Sequence, residues 1–397
     1  MTAADWKAEE SRWLLPGYPQ FPFVLERGEG AYVWDTDGRR YLDLYAGHAV
    51  VLLGHCPPAV VAALREQAGK LLFYSTLACL PGRARAAKAL VELCGAEGSR
   101  VFFCNSGAEA NENAMRIARR ATGRAAILAT EGSFHGRTAG ALAATGIPRY
   151  RQGVQGLGTD VSFVPFGDLA AAEAAIGPET AGFLLEPVQG LAGGRPPGPG
   201  YLEGLARLCR KAGAMLIFDE VQTGLGRLGA PSAAQAFGVQ PDLQTFAKGL
   251  GSGVPCAATL AGPRAAAALR PGDLGSTFGG GPLACAAIEA TLGELSRLRL
   301  WENAARLERR IRETFRMPGV LSVQGKGLLL GLVLDRPAKP VQQALVGRSI
   351  LTGTAEDPRV LRLLPPLIIG DAEAETLRAA LADILRESLA PLGGRTS

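Results

Sequence analysis

The chain has 397 residues, 47% of them hydrophobic and 20% charged, with a formal net charge of +5 at pH 7. That length exceeds what a single hydrophobic core usually holds, so two or three domains, or a large core with a satellite, are expected. No basic block is long enough to make a nucleic-acid or membrane surface, and no apolar run approaches the roughly eighteen residues of a membrane span. The seven cysteines are scattered without a Cys-x-x-Cys pair, and the opening "MTAADWKAEESRW" lacks the apolar core of a signal peptide, which together point to a reducing cytoplasm. Seven lysines stand against thirty-five arginines, so a lysine at a motif position stands out.

In chain order, "GAYVWDTDGRRYLDLYAG" reads as a hairpin, two alternating runs joined around Thr36-Asp37-Gly38. From about residue 100 to 260, short β-rich runs alternate with helical stretches, the pattern of a parallel, helix-covered sheet. The expected strands are "RVFFCN", "AAILAT", "VSFVPF", "AGFLLEP", "AMLIFDE" and "DLQTFAKG". After "RVFFCN", Ser106-x-x-Glu109 forms a capping box, and Ala110, Ala114, Ile117 and Ala121 give the following helix its apolar stripe. The Ser-Gly-Ala turn at that helix start exposes N–H groups and a hydroxyl, which suits a phosphate, although an ordinary capped helix looks the same. "YLEGLARLCRKAG" is a second helix with a glycine stop. Farther on, "PLACAAIEATLGELSRLRLWENAARLERRIRETF" reads as one or two long helices, followed by strand-like "GKGLLLGLVLD" and "RVLRLLPPLII" and a final helix. The expected division is a segment 1–50 belonging to a smaller domain, a large domain over 51–285, and the remainder of the smaller domain over 286–397.

Three features carry chemistry. "GAMLIFDEVQTGLGR" ends a buried strand on Asp219 and Glu220, where an unpaired charge is expensive. "GLGRLG" within and beyond it matches a dinucleotide fingerprint, which raises a nicotinamide or flavin oxidoreductase. The context fails, because the fingerprint turns directly from strand to helix, and here several residues intervene and Pro231 follows. "TFAKGLGSGVP" sets Lys248 before a glycine-rich turn, a position where arginine could not serve if a deprotonated amine is needed. A pyridoxal phosphate site needs an amine for the aldehyde, a phosphate cradle and an acid for the ring nitrogen. Lys248, the Ser-Gly-Ala turn and Asp219 supply all three at the C-terminal ends of expected parallel strands, where open α/β sheets bind ligands.

With those residues in hand, the sequence resembles the class III, ornithine-type aminotransferases of pyridoxal phosphate fold type I. The motifs "GEGAYVWDTDGRRYLDLYAG", "NSGAEANENAMRIAR", "FHGRT", "EPVQG", "FDEVQTGLGR", "FAKGLGSGVP", "STFGG" and "LRLLPPLI" fall in the family's order across essentially the whole chain. The resemblance implies an α/β fold: a large, central, mostly parallel-sheet domain with a smaller α+β domain built from both chain ends. It implies pyridoxal 5'-phosphate as cofactor, small amino-acid and 2-oxo-acid substrates, a homodimer with shared active sites, and neither nucleic acid, membrane nor metal. Lys248 would join the cofactor and, once free, carry the substrate's proton, while Asp219 would pair with the ring nitrogen. Val221 and Phe134 would cover the two ring faces, Gln222 would lie near the ring hydroxyl, and Ser106, Gly107 and Ala108 would hold the phosphate. Thr277 would reach the phosphate of the neighbouring subunit.

For the substrate, the resemblance implies that Tyr18 and Arg137 hold one carboxylate, that Arg362 holds glutamate's α-carboxylate, and that Glu186 pairs with Arg362 when an ω-amino compound is bound. Within the class the chain most resembles the acetylornithine enzymes. Enzymes for carrier-bound lysine precursors, ornithine or 4-aminobutyrate, and aminomutases with the same lysine and aspartate, remain alternatives at this point. His135 reads equally as a packed structural residue or a site residue, and Glu220 as structural. The chain departs from the family where "EPVQG" continues Leu191-Ala192 in place of Glu-Gly, and where Gly281 replaces an asparagine before Pro282.

Overall fold

A computed structural model describes residues 2–158 and 160–387. The last stretch of the expected C-terminal domain, 388–397, lies outside the described residues. Seven strands form the central sheet, in the spatial order Arg100–Cys104, Ala257–Ala261, Leu243–Phe246, Met215–Asp219, Thr180–Leu185, Ala126–Thr130 and Val161–Val164. Ala257–Ala261 runs antiparallel to both neighbours, and the other pairings are parallel. The six apolar runs read from the sequence all form strands here. The seventh, "AATLA", is alanine-rich and weak in β-propensity. Its small side chains let the helix Gly107–Thr122 come close enough for Thr259 Oγ1 to donate to Ala110 O at 2.9 Å.

The sheet is covered on both faces because its residues alternate. Leu184 and Ile217 pack with Ala114, Met115 and Ile117 of Gly107–Thr122, whereas Phe183, Leu185, Leu216 and Phe218 pack with Leu202, Leu205 and Cys209 of Tyr201–Ala212. Complete burial of Phe183, Phe218 and Phe246 contributes about 2–3 kcal/mol each. Both helices end at left-handed glycines, Gly123 with φ 69° and Gly213 with φ 71°. The same alternation sends Asp219 toward the first helix and Glu220 the opposite way.

The chain ends build two smaller sheets. Leu25–Glu29, Tyr32–Asp35 and Arg40–Asp43 form an antiparallel ladder containing the expected hairpin, and Ile350–Leu351 joins it in parallel, with Ile350 beside Leu42. Val320–Lys326, Leu329–Leu334, Val360–Leu363 and Gly353–Thr354 make the other, in which Arg362 lies opposite both Gly331 and Gly353. The long helical stretch resolves into Pro282–Leu298 and Leu300–Thr314, broken at Arg299, whose φ is 47°. No described helix is long and apolar enough to cross a membrane.

"GLGRLG" is a series of turns: Gly226 has φ 90°, Gly229 has φ 83°, and the next helix begins only at Ala233. At its centre Arg227 is fully buried. Its Nη1 donates to Leu328 O at 3.1 Å and Pro365 O at 2.5 Å, while Nε and Nη2 have no partner. Burial pushes its pKa down to about 9. Arg227 therefore ties the turn after Asp219 to two segments flanking the strand that bears Arg362. Arg227→Ala would leave a cavity and two orphaned carbonyls, and should cost about 3–5 kcal/mol, measured as a lowered midpoint in urea unfolding.

Candidate active site

The C-terminal ends of the parallel strands open into a cavity of about 340 Å³. Ser106, Gly107, Ala108, Phe134, Glu186, Asp219, Val221, Gln222 and Lys248 line it, together with Asn111, His135 and Leu191. Nine of the residues singled out in the sequence thus meet in one place. Tyr18, Arg137, Arg362 and Thr277 are not on its wall.

Asp219 is 3% exposed and ends the strand Met215–Asp219. Its Oδ2 accepts from Asn111 Nδ2 at 2.7 Å and from His135 Nδ1 at 2.7 Å, and its Oδ1 accepts from Val221 N at 3.0 Å. Thr245 Oγ1 lies 3.5 Å from Oδ1 but gives its one proton to Asn111 Oδ1, so of a carboxylate's roughly four acceptor positions one is left. His135 Nδ1 carries its proton toward Asp219, and its Nε2 is buried with no partner among the described residues. Asn111 is itself held, donating to His135 O at 2.8 Å and accepting from Thr245 Oγ1 at 2.7 Å. The sequence reading missed Asn111. Its signal was a polar residue on the buried face of a helix whose other inward positions are apolar.

Lys248 follows the strand Leu243–Phe246, with φ 41°, at the start of a 3₁₀ turn over Lys248–Gly251. Left-handed backbone at a lysine costs energy and is a feature of functional positions. Burial lowers its pKa most; Asp219 and Glu186 oppose that shift, and Arg362 adds to it. The amine is therefore more readily neutral than an exposed lysine.

The helix Gly107–Thr122 begins at the cavity. Ser106 Oγ accepts from Glu109 N at 3.2 Å, but the Glu109 carboxylate reaches past the cap to Asn105 N, at 3.0 Å, so only half of the expected capping box forms. The first-turn N–H groups of Gly107 and Ala108 have no carbonyl one turn back and lie at the cavity wall. A Cβ on Gly107 would sit 2.9 Å from Val221 Cγ1, so glycine is needed for this approach. Val221 and Phe134 also line the cavity, and the buried Gln222 Oε1 has no partner. Phe134 meets the Tyr150 ring edge-on at 5.2 Å.

The pairing expected of Glu186 and Arg362 belongs to a bound ω-amino substrate; here each has other partners. Among the described residues they make no ion pair. Glu186 Oε1 accepts from Phe134 N at 2.9 Å and Oε2 from Gly190 N at 3.0 Å, and burial, as the largest influence, raises its pKa. Arg362 instead donates to Gly190 O, Thr354 O and Tyr45 Oη. The Gly190 peptide engages both, with its N–H on the acid and its carbonyl on the guanidinium. Two backbone donors satisfy the carboxylate, which removes its need for the arginine.

Around the entrance, Arg137 lies over the rings of Tyr150, at 4.7 Å, and Tyr18, at 5.5 Å, and Tyr18 packs on His48 at 5.2 Å. Arg137 and Tyr18 are exposed. Tyr45 and His48 were not foreseen. They flank and occupy a left-handed turn over Ala46–Ala49, with φ of 50°, 54°, 67° and 65°. Such backbone costs roughly 1–2 kcal/mol per non-glycine residue, and no sequence pattern marks it. Asp43 steadies the turn by accepting from Tyr45 N at 2.9 Å and Ala46 N at 2.8 Å. Thr277 is exposed.

These features define an aminotransferase site, and comparison agrees. The class-III aminotransferase family model matches residues 15–385, and the chain belongs to that family. It is 45% identical to the acetylornithine aminotransferase of Methanopyrus kandleri, covering 94% of this chain and 96% of that one. The acetylornithine aminotransferase of Streptomyces coelicolor is 46% identical, with 94% and 92% covered. A crystal structure of the ornithine aminotransferase of Toxoplasma gondii, with partial occupancy of PLP at its active site, superposes with a TM-score of 0.92 at 32% identity, covering 98% of this chain and 96% of that one.

Glu220, next to Asp219, is not on the cavity wall. It accepts from Ala233 N at 2.6 Å, Ala234 N at 3.2 Å and Gln244 Nε2 at 2.7 Å, so it is a structural clamp on the turn after the strand. Burial outweighs these donors and raises its pKa from 4.5 to about 7. A raised folded-state value means that its contribution to stability is present below the unfolded pKa and is lost as pH rises through about 7. The melting temperature should therefore fall more steeply between about pH 5 and 8 in the parent than in Glu220→Gln, followed by calorimetry across that range.

Proposed function

We propose that the chain is a pyridoxal 5'-phosphate-dependent ω-amino aminotransferase converting N-acetylornithine and 2-oxoglutarate into N-acetylglutamate semialdehyde and glutamate, a step of arginine synthesis. The observation that carries this reading is the meeting of a part-buried amine, Lys248, with a buried acid, Asp219, on the wall of one cavity. The donor follows the relatives, and the wall supports it. The two carboxylates on it, Glu186 and Asp219, are both engaged, and Leu191 and Val50 are apolar. Such a wall suits a neutral acylamide better than a free α-ammonium.

The cavity fits the cofactor. It offers unpartnered N–H groups at a helix start, an acid with one acceptor position open, and a buried orphaned Gln222 oxygen. When bound, the cofactor supplies a cationic ring that withdraws electrons from the carbon losing its proton. Ser106, Gly107 and Ala108 bind its phosphate, Phe134 and Val221 cover the ring, and Gln222 faces the ring hydroxyl. Asp219, steadied by His135 and Asn111, holds a proton on the ring nitrogen. Lys248 takes and returns the substrate's proton, a task its lowered pKa favours. Arg137 and Tyr18 bind the donor's carboxylate and Arg362 that of glutamate.

The reading includes a homodimer, a smaller domain formed by residues 1–50 and 286–397 around the larger 51–285, and a cytoplasmic setting in which all seven cysteines stay free. Leu72, Phe73, Tyr74, Leu77 and Phe278 form an exposed apolar group, with Phe73 and Phe278 rings 5.2 Å apart. Thr277 adjoins Phe278, so covering this patch with a second copy would bring Thr277 to that copy's cofactor.

Lys248→Ala should lose at least about a thousandfold in transamination, and the purified variant should lack the visible absorbance of lysine-bound cofactor. Retained turnover of N-acetylornithine with 2-oxoglutarate would sink the assignment. Leu72→Asp combined with Phe278→Asp should shift the protein to a monomer by light scattering, with activity lost in parallel.

A further inference from the structure

Arg362 is 3% exposed and, among the described residues, makes no ion pair. Its Nε donates to Thr354 O at 2.8 Å, Nη1 to Gly190 O at 3.0 Å and Nη2 to Tyr45 Oη at 2.5 Å, all neutral oxygens. A guanidinium has five N–H donors, so two remain. Tyr45 is fixed in place: a Cβ on Gly353 would stand 2.2 Å from its Cε2. Its hydroxyl accepts from Arg362 and lies 3.0 Å from His48 Nδ1. Burial, and then the nearby charges of Arg362 and Lys248, lower the His48 pKa, which favours a neutral ring there. The nearest acid in the sequence pattern, Glu186, is held by two backbone N–H groups, and position 191, beside the Gly190 carbonyl that Arg362 grips, is leucine.

An unmasked guanidinium in a site of low dielectric grips a carboxylate strongly. An amino acid anchored there by its α-carboxylate presents its α-amine toward Lys248, as glutamate must. An Nα-acylated donor cannot react in that orientation, because its α-nitrogen is an amide; it must turn round, with its carboxylate at Arg137 and its terminal amine inward. Nothing on the Arg362 side repels other free α-amino acids.

We propose that this site has a second activity, the α-transamination of free, straight-chain α-amino acids of about glutamate's length, anchored by Arg362. Norvaline would give 2-oxopentanoate. The donor's α-carbon is oxidised by two electrons from amine to ketone, its α-proton passes to Lys248, and the amino group ends on C2 of 2-oxoglutarate, which is reduced to glutamate. The inference rests on the transaminase reading of Lys248 but not on N-acetylornithine as donor.

The test is to incubate purified holoenzyme with norvaline and 2-oxoglutarate and to quantify 2-oxopentanoate and glutamate by NMR. Formation of both, in equal amounts and absent with Lys248→Ala, is expected. Leu191→Glu, which adds a carboxylate one residue on from the Gly190 carbonyl that Arg362 holds, should lower kcat/KM for norvaline relative to that for N-acetylornithine by at least about tenfold, and should weaken binding of glutarate in calorimetry. Tyr45→Phe, a smaller change, should raise the KM for norvaline more than it lowers kcat. No norvaline turnover in the parent protein, or an unaltered ratio in Leu191→Glu with its glutarate affinity intact, overturns the proposal. Turnover of norvaline without turnover of N-acetylornithine would instead overturn the donor assignment and leave this inference standing.

Discussion

The buried carboxylate of Asp219 is the constraint from which the rest of the site follows. Taking an isolated carboxylate out of water costs several kcal/mol even after relaxation. Asn111, His135 and the Val221 N–H return roughly 1.5–3 kcal/mol each as charge-assisted hydrogen bonds. They do so only if the helix Gly107–Thr122 lies close to the strand ends. That approach demands glycine at 107 against Val221, and alanines in the strand Ala257–Ala261 under Ala110. The same approach brings the helix start, with its unpaired N–H groups, to the cavity. One acid's need for donors thus also brings the helix start to the cavity that Asp219 lines.

Strand alternation turns two adjacent acids into different devices. Asp219 shares the face of Ile217 and meets Asn111, whereas Glu220 shares the face of Phe218 and clamps Ala233 and Ala234. Both are buried, yet only Asp219 looks into the cavity. Arg227, eight residues on from Asp219 in the sequence, adds the long-range connection, because its bonds to Leu328 and Pro365 hold the sheet bearing Arg362 against the turn that leaves the acid.

Much of this was legible because it is local. Apolar runs gave six of the seven central strands, and the hairpin, the glycine stops and the nine cavity-lining residues all sit in short motifs with their own chemistry. What could not be read depended on distant partners or on backbone the side chains do not announce. "AATLA" is a strand because two neighbours bond to it. Asn111 is functional because His135 and Asp219, far along the chain, come to it. The left-handed turn of Ala46–Ala49 contains a single glycine, and it persists because Asp43 and the packing of Tyr45 on Gly353 hold it. Nor does the sequence show that backbone N–H groups hold Glu186 and neutral oxygens hold Arg362, two residues expected to pair when an ω-amino compound is bound.

The two arginines, alike in sequence, work under different electrostatics. Arg137 is exposed among the rings of Tyr18 and Tyr150, where water and salt screen its charge and the aromatic faces limit its orientation. Arg362 is buried on neutral oxygens, so its field reaches Lys248 and depresses that amine's proton affinity. A carboxylate arriving at Arg362 would cancel that field and ease the pKa of Lys248 back up, whereas one arriving at Arg137 would leave it largely as it was. The two orientations of substrate therefore reach the same lysine in different states of charge. On the proposed reading, discrimination between them would reside in the surroundings of Arg362, in Tyr45, Gly190 and Leu191, more than in Lys248 and Asp219.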